Sequence, residues 1–165
     1  MDLKNINELN DKDAAEMFRK CCGSDTWVEK MTRARPFVSE QALSEQADRS
    51  FQELTREDWM DAFAAHPKIG DVTSLKKKYS TTRNWAENEQ AGAQGISDAV
   101  AQDLAARNEE YFQKFGYIFI VCATGKSAQE MLTMLKLRLQ NEAETELPIA
   151  AEEQKKITHL RLGKL

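Results

Sequence analysis

The chain has 165 residues, with 23 basic and 27 acidic side chains and a formal net charge of −4. This length predicts one domain over residues 1–165, large enough to bury a core. Its seven glycines and three prolines are about half the usual share, which argues against a turn-rich β sandwich and favours long helices. The acidic balance argues against nucleic-acid binding through bulk charge.

The cysteines and the apolar runs of the sequence indicate in which cellular compartment the protein is expected. Cys21 and Cys22 are adjacent, Cys122 is distant, and no C-x-x-C pair occurs, so neither a disulfide framework nor a zinc knuckle is indicated. The acidic, polar N-terminus lacks the features of a secretion signal. The longest apolar run, from Tyr117 to Ala123, is too short to span a bilayer. We therefore expect a cytoplasmic protein with no membrane segment.

The spacing of apolar residues predicts four helices in the first third of the chain. Ser39 and Thr55 are the predicted N-caps of the third and fourth. The apolar positions of the four helices are Ala14, Met17, Phe18 and Cys21; Trp27, Val28 and Met31; Ala42, Ala47 and Phe51; and Trp59, Ala62 and Phe63. Residues 70–95 break this pattern and predict short helices and loop.

Three further helices are predicted in the second half. The first opens at Ser97 and ends at Gly116, and the second follows an S-x-x-E capping box that starts at Ser127. Thr145 is the predicted cap of the last helix, with Pro148 in its first turn, where no N–H is needed. The predicted fold is all-α, a single compact bundle of about eight helices.

Tyr117 to Ala123 is the exception, since its β-branched and aromatic residues favour a short extended segment, a buried strand by propensity. No second strand is evident to pair with it. Its backbone N–H and C=O groups must therefore bond to something else. A ligand is one candidate, and neighbouring helix ends and side chains are the other.

The same segment leads into Gly125-Lys126-Ser127 and a helix, which resembles the end of a phosphate-binding loop. That motif requires a glycine five residues before Gly125, where Ile120 stands. We therefore favour a plain loop in which Ser127 caps the next helix.

His66 is the first candidate for acid/base chemistry. It follows Trp59 and Phe63 at helical spacing, and Pro67 predicts that the helix ends there. The helix dipole favours the protonated form at this end, so the imidazole would titrate near neutrality. An ordinary core or capping histidine is the alternative, and on this evidence alone it is favoured.

Two other sites are open to two interpretations. Glu87, Glu89 and Gln90 form either a solvated face or, if Glu89 and Gln90 turn inward, a site for ureido or amide groups. Arg161, at the edge of an apolar stripe, would hold a substrate carboxylate or make a surface ion pair. The two histidines lack metal-ligand spacing, so no metal site is predicted.

Several motifs, taken in order, resemble the 2-oxo-4-hydroxy-4-carboxy-5-ureidoimidazoline (OHCU) decarboxylase family. They are Cys21-Cys22-Gly23-Ser24, Trp27-Val28-Glu29, Arg35-Pro36-Phe37, His66-Pro67-Lys68-Ile69-Gly70, WAENEQAGA from Trp85 to Ala93, Phe115-Gly116, FIVCA from Phe119 to Ala123, and Leu160-Arg161-Leu162. The resemblance runs from about Leu9 to Leu165. Each motif is modest alone, and the ordered set is specific.

This resemblance implies an all-α, homodimeric, cofactor-free carbon–carbon lyase of urate breakdown, which converts OHCU to (S)-allantoin and carbon dioxide. It implies that His66 is the catalytic acid/base and Glu89 its carboxylate partner. The implied substrate-binding positions are Pro67, Ala86, Glu87, Asn88, Gln90, Phe119, Ile120, Val121, Cys122, Ala123 and Arg161. The implied partner is a small ureidoimidazoline, with no nucleic acid and no membrane. A helical protein-binding module without catalysis is the alternative.

One position departs from the family pattern. The family's serine, three residues before the glutamate, is Ala86 here. A hydroxyl contact to the substrate is therefore missing, or is supplied by Asn84, Asn88 or water. Losing one hydrogen bond costs about 0.5–1.5 kcal/mol, which weakens affinity without removing activity.

Overall fold

The computed structural model describes residues 1–67 and 97–165, and in these ranges it contains α-helices and no β-strand. The prediction of an all-α fold is confirmed. The helices are α1 (Leu3–Glu8), α2 (Asp11–Arg19), α3 (Asp25–Arg33), α4 (Glu40–Gln52), α5 (Arg56–Ala64), α6 (Asp98–Phe115), α7 (Ala128–Arg138) and α8 (Ala143–Leu162).

Polar side chains start most of these helices. At seven of them the N-cap side chain accepts the N–H of the residue three positions on, which satisfies a backbone donor that has no partner within the helix. The N-caps are Asp2, Asn10, Ser24, Ser39, Thr55, Ser97 and Ser127. The predicted caps Ser39, Thr55, Ser97 and Ser127 are among them. Helix α1 was not predicted, because Ile6 is its only buried residue.

Residues 1–66, 120–122 and 147–165 form one compact unit. Its core is aromatic, since the ring of Phe51 stacks on Trp27 at 5.5 Å and on Trp59 at 5.6 Å between centroids. The Trp27 indole N–H donates to the Ala47 carbonyl at 3.2 Å, so the buried ring leaves no polar atom unpaired. Helices α3, α4 and α5 are thereby held around one stack of rings.

Residues 67–119 and 123–146 form the second unit, whose described core lies between α6 and α7. Tyr111 and Arg138 meet the carboxylate of Glu146 there, and its side chain is fully buried. The hydroxyl and the guanidinium each lie 2.6 Å from Glu146 Oε1. On α6 the side chains of Leu104, Tyr111 and Phe115 are buried, at positions that share one face of the helix.

The start of the last helix was predicted wrongly. Helix α8 begins at Ala143, and the N–H groups of Thr145 and Glu146 both donate to the Glu142 carbonyl. Pro148 therefore lies in the second turn, where its missing N–H leaves the carbonyl of Glu144 without a helical partner. Both residues are exposed, so water can bond that carbonyl.

Residues 117–123 adopt neither a helix nor a paired strand. The strand that propensity alone favours does not form because, as the sequence indicated, the described part of the chain has no neighbouring strand to pair with it. Gly116 ends α6 with a φ of +81°, the left-handed conformation that glycine adopts without strain. No described helix combines the length and the apolar character that a membrane crossing requires.

Candidate active site

His66 lies just beyond α5, as the proline after it predicted. The helix ends at Ala64, and the His66 N–H donates to the Phe63 carbonyl at 3.2 Å. The side chain is half-buried, and its Nε2 lies 2.5 Å from Oε1 of Gln154 on α8. The imidazole is therefore directed into the unit rather than left on its surface.

The Gln154 side chain continues a buried hydrogen-bond chain. Its amide nitrogen donates to the Thr158 hydroxyl at 3.1 Å, and Thr158 lies 3.2 Å from the Cys21 carbonyl and 2.9 Å from the Gln154 carbonyl. Gln154 and Thr158 are completely buried. The loop after α2, the end of α5 and helix α8 are joined through this chain.

The pKa of His66 lies below its ordinary value, opposite to the direction expected from the helix dipole. Burial lowers it most, because the charged imidazolium loses hydration, and the positive Arg161 lowers it further. The hydrogen bond to Gln154 acts in the opposite direction. His66 is therefore a neutral imidazole at pH 7, suited to accept a proton.

Glu153, the residue next to Gln154, holds the irregular segment. Its buried carboxylate accepts the Cys122 backbone N–H at 3.3 Å and the Lys156 ammonium at 2.5 Å. Consecutive residues of α8 thus bond to His66 and to Cys122. For the Cys122 N–H, a neighbouring side chain is the observed partner, which is one of the two alternatives left open by the sequence.

The other backbone groups of residues 119–123 differ in whether they have a hydrogen-bond partner. The Ala123 carbonyl accepts the Lys126 N–H at 3.0 Å. In residues 1–67 and 97–165, the backbone N–H and C=O groups of Phe119 and Val121 have no hydrogen-bond partner. The Phe119 ring lies 4.5 Å from the guanidinium carbon of Arg138.

Arg161 lies two turns beyond Gln154 on α8. It is half-buried, and its Nη1 donates to the Lys20 carbonyl at 3.3 Å. It forms no ion pair with a carboxylate among the residues that the structure describes. The described part of the chain therefore shows no surface ion pair at Arg161, only the bond to a backbone carbonyl.

His66 and Cys122 each bond to a side chain of α8, the helix that also carries Arg161. Pro67 follows His66 and is exposed. The predicted site residues Ala86, Glu87, Asn88, Glu89 and Gln90 lie outside the described residues.

Sequence reasoning missed Glu153, Gln154 and Thr158. Gln154, Thr158 and Arg161 recur at four- and three-residue intervals, a polar stripe along one face of a helix. Polar residues at helical spacing between buried Ala150 and Leu162 were the available signal.

The Gly125-Lys126-Ser127 sequence leads into a capped helix. Ser127 and Glu130 form a reciprocal capping box at the start of α7, as predicted.

Among the described residues, no cluster of three His, Cys, Asp or Glu side chains is arranged to hold a metal ion.

Comparison with known proteins shows which family and which solved structures this chain is similar to. A family model described as OHCU decarboxylase matches residues 7–163. A crystal structure of OHCU decarboxylase in the presence of (S)-allantoin aligns with a TM-score of 0.72 at 36% identity, covering 94% of this chain and 97% of that one. A crystal structure of (S)-allantoin synthase, at 16% identity and a TM-score of 0.71, has the same fold and covers 99% of this chain and 54% of that one.

Curated relatives are of two lengths. The uric acid degradation bifunctional protein TTL of Arabidopsis thaliana is 38% identical over 90% of this chain, which spans 46% of that protein. The 2-oxo-4-hydroxy-4-carboxy-5-ureidoimidazoline decarboxylase of Haloferax volcanii is 25% identical over 98% of this chain and 94% of its own length. The chain thus spans about half or less of the bifunctional relatives.

The fold and the family match define an all-α protein that is similar to proteins named for uric acid degradation. The chain belongs to the OHCU decarboxylase family.

Proposed function

We propose that this chain converts OHCU to (S)-allantoin and carbon dioxide without a cofactor, as the carbon–carbon lyase step of urate breakdown. The observation that carries this proposal is the placement of His66, the histidine of the family motif. It is half-buried, hydrogen-bonded to Gln154 and shifted by burial toward its neutral form.

The substrate itself contains the group that accepts the electron pair released on decarboxylation. The ring carbon that bears the carboxylate and hydroxyl adjoins a carbon with a C=N bond. When the carbon–carboxylate bond breaks, its electron pair forms a bond between these carbons and the C=N pair moves to nitrogen. The hydroxyl then loses a proton, while the ring nitrogen and the ureido-bearing carbon each gain one. One proton is consumed overall.

His66 acts as the general base in this scheme. A neutral imidazole accepts the hydroxyl proton as the carbonyl of the product forms. Glu89 is the proposed carboxylate partner, on the strength of its place in the family motif. Ala86, Glu87, Asn88 and Gln90 are proposed to line the substrate on the same ground.

Recognition of the substrate is assigned to Arg161 and the 119–123 segment. The guanidinium of Arg161 has donors to spare for the substrate's polar rim. Backbone groups of Phe119 and Val121 match the alternating donors and acceptors of ring amide and ureido groups. Pro67, Ile120, Cys122 and Ala123 contribute contact surface beside them.

Circular dichroism of a uricase and hydroxyisourate hydrolase mixture tests the proposal. Adding the chain should speed the appearance of optically active allantoin. His66→Gln should lose about 10²–10⁴-fold in rate, the usual contribution of acid/base catalysis. His159→Gln, which replaces the other histidine, should keep the activity. An unchanged rate with the wild-type chain would favour the non-catalytic binding module.

The assembly and compartment remain part of the proposal. A homodimer follows from the resemblance to the family and is measured by sedimentation equilibrium. The three free cysteines, all buried, fit a reducing compartment such as the cytoplasm.

A further inference from the structure

We propose that Gln154 is a positioning residue that fixes the protonation of His66, so that Nε2 carries the hydrogen and Nδ1 exchanges protons with the substrate. The functional consequence rests on the proposed decarboxylase activity. The assignment of the ring hydrogen does not, because it follows from the hydrogen-bond chain on α8.

The direction of that chain is set at its far end. The Thr158 hydroxyl lies 3.2 Å from the Cys21 carbonyl and 2.9 Å from the Gln154 carbonyl. A carbonyl oxygen only accepts, so the Thr158 O–H donates toward these carbonyls. The lone pairs of its oxygen are then left to accept the Gln154 amide N–H at 3.1 Å.

The orientation of the amide decides the state of the ring. With its nitrogen on Thr158, Gln154 presents Oε1 to His66 at 2.5 Å. Because this oxygen has no hydrogen to give, His66 Nε2 must be the donor. In the neutral ring the other nitrogen, Nδ1, then carries the lone pair.

Burial makes the opposite orientation costly. Gln154 and Thr158 are both fully buried. Turning the amide over would place its N–H₂ against the ring and draw the Thr158 hydroxyl onto the amide oxygen. The Cys21 and Gln154 carbonyls would then lose the hydroxyl hydrogen that points toward them, which is unfavourable inside the protein.

The neutral amide also differs from the carboxylate that often orients a catalytic histidine. Gln154 fixes the ring without forming an ion pair, so it favours the imidazolium less than a carboxylate at Nε2 would. Burial favours the neutral ring, and in that ring Nδ1 keeps its lone pair. Helix α8 thus supplies orientation through Gln154, and positive charge through Arg161.

Nitrogen NMR of the ring reads the assignment directly. The chain has two histidines, so His159→Gln leaves His66 as the one imidazole signal. With ¹⁵N-histidine, we expect an Nε2-protonated ring whose N–H exchanges slowly with water. In His159→Gln/Gln154→Met, which has a similar shape and no amide, we expect fast exchange of that hydrogen. An Nδ1-protonated ring, or equal exchange in both proteins, would overturn the proposal.

Kinetics separate positioning from support of the fold. Gln154→Met should lower kcat roughly tenfold or more, as loss of an orienting partner does, and change KM little. Gln154→Glu keeps an oxygen acceptor, so Nε2 should again carry the hydrogen that Gln154→Met leaves without a partner. The carboxylate favours the imidazolium, so the acid limb of the pH–rate profile should move to higher pH. Gln129→Met, at an exposed glutamine of α7, is the matched control.

The NMR and the kinetic measurements together distinguish a failure of this proposal from a failure of the proposed function. If the NMR result is as expected and no variant or wild-type chain decarboxylates OHCU, the proposed function fails and the ring assignment stands. If wild type is active and Gln154→Met keeps its kcat and pH profile, the positioning role is wrong.

Discussion

Gly23 illustrates how a single missing side chain supports the site. A Cβ added there would lie 2.3 Å from the Cβ of Ala65, the residue immediately before His66. Gly23→Ala should therefore push the end of α5 outward, at a cost of about 1–3 kcal/mol in the free energy of unfolding. The displaced His66 should also lower kcat. Urea denaturation and the allantoin assay measure the two effects.

Gly163→Ala is the control for this substitution. The atoms nearest to its added Cβ are carbonyl oxygens at 3.6 Å, an ordinary contact, and Gly163 is exposed. Its stability and activity should stay close to wild type. Equal stability of Gly23→Ala and wild type would show that the two segments can separate without cost.

The site was only partly predictable at the residue scale. Local spacing marked His66, Pro67 and Arg161, because a helix end and an apolar stripe are visible in sequence. Gln154 lies 88 positions from His66. No local pattern links such positions, so neither their contact nor the downward shift of the His66 pKa could be read from the chain.

At the scale of elements, α7 and α8 are joined by a buried ion pair. Arg138 Nε lies 2.6 Å from Glu146 Oε1, and Asn141 donates to Oε2 at 2.9 Å. The same guanidinium lies over the Phe119 ring. Burial and the hydrogen bond to Glu146 raise the pKa of Tyr111, so its hydroxyl remains a donor. The pair thus connects two helices, and its guanidinium also lies against Phe119.

Arg138→Met should destabilise the chain by about 3–5 kcal/mol, because it leaves the Glu146 carboxylate buried without its countercharge. Glu146→Gln combined with Arg138→Met should cost less than the sum of the two single changes. A double-mutant cycle from urea denaturation measures this coupling. If the losses in free energy of unfolding of the two single variants simply add in the double variant, the ion pair does not couple the two helices.

Helices with strong caps were predictable, because Ser39, Thr55, Ser97 and Ser127 each satisfy a local backbone donor. The start of α8 was not, since Glu142 caps it through a backbone carbonyl that carries no sequence signal. Residues 117–123 have strand composition, but a strand needs a partner, and the described part of the chain offers none.

At the scale of the whole molecule, His66 should make stability depend on pH. Its pKa in the folded chain is below the ordinary value of about 6.5, mainly through burial. The unfolded chain therefore binds more protons than the folded chain as pH falls through 6.5. The free energy of unfolding should fall over that range, by at most about 1.4 kcal/mol per pH unit for one proton.

His66→Gln isolates this contribution, since every other titrating group is common to both proteins. The difference in free energy of unfolding between wild type and His66→Gln should be constant above about pH 7.5 and should shift against wild type below pH 6.5. Urea denaturation from pH 5 to pH 8 measures it. Parallel curves would mean that folding does not favour the neutral imidazole. A shift in favour of wild type would mean that the imidazolium is stabilised, and the neutral base in the proposed reaction would be wrong.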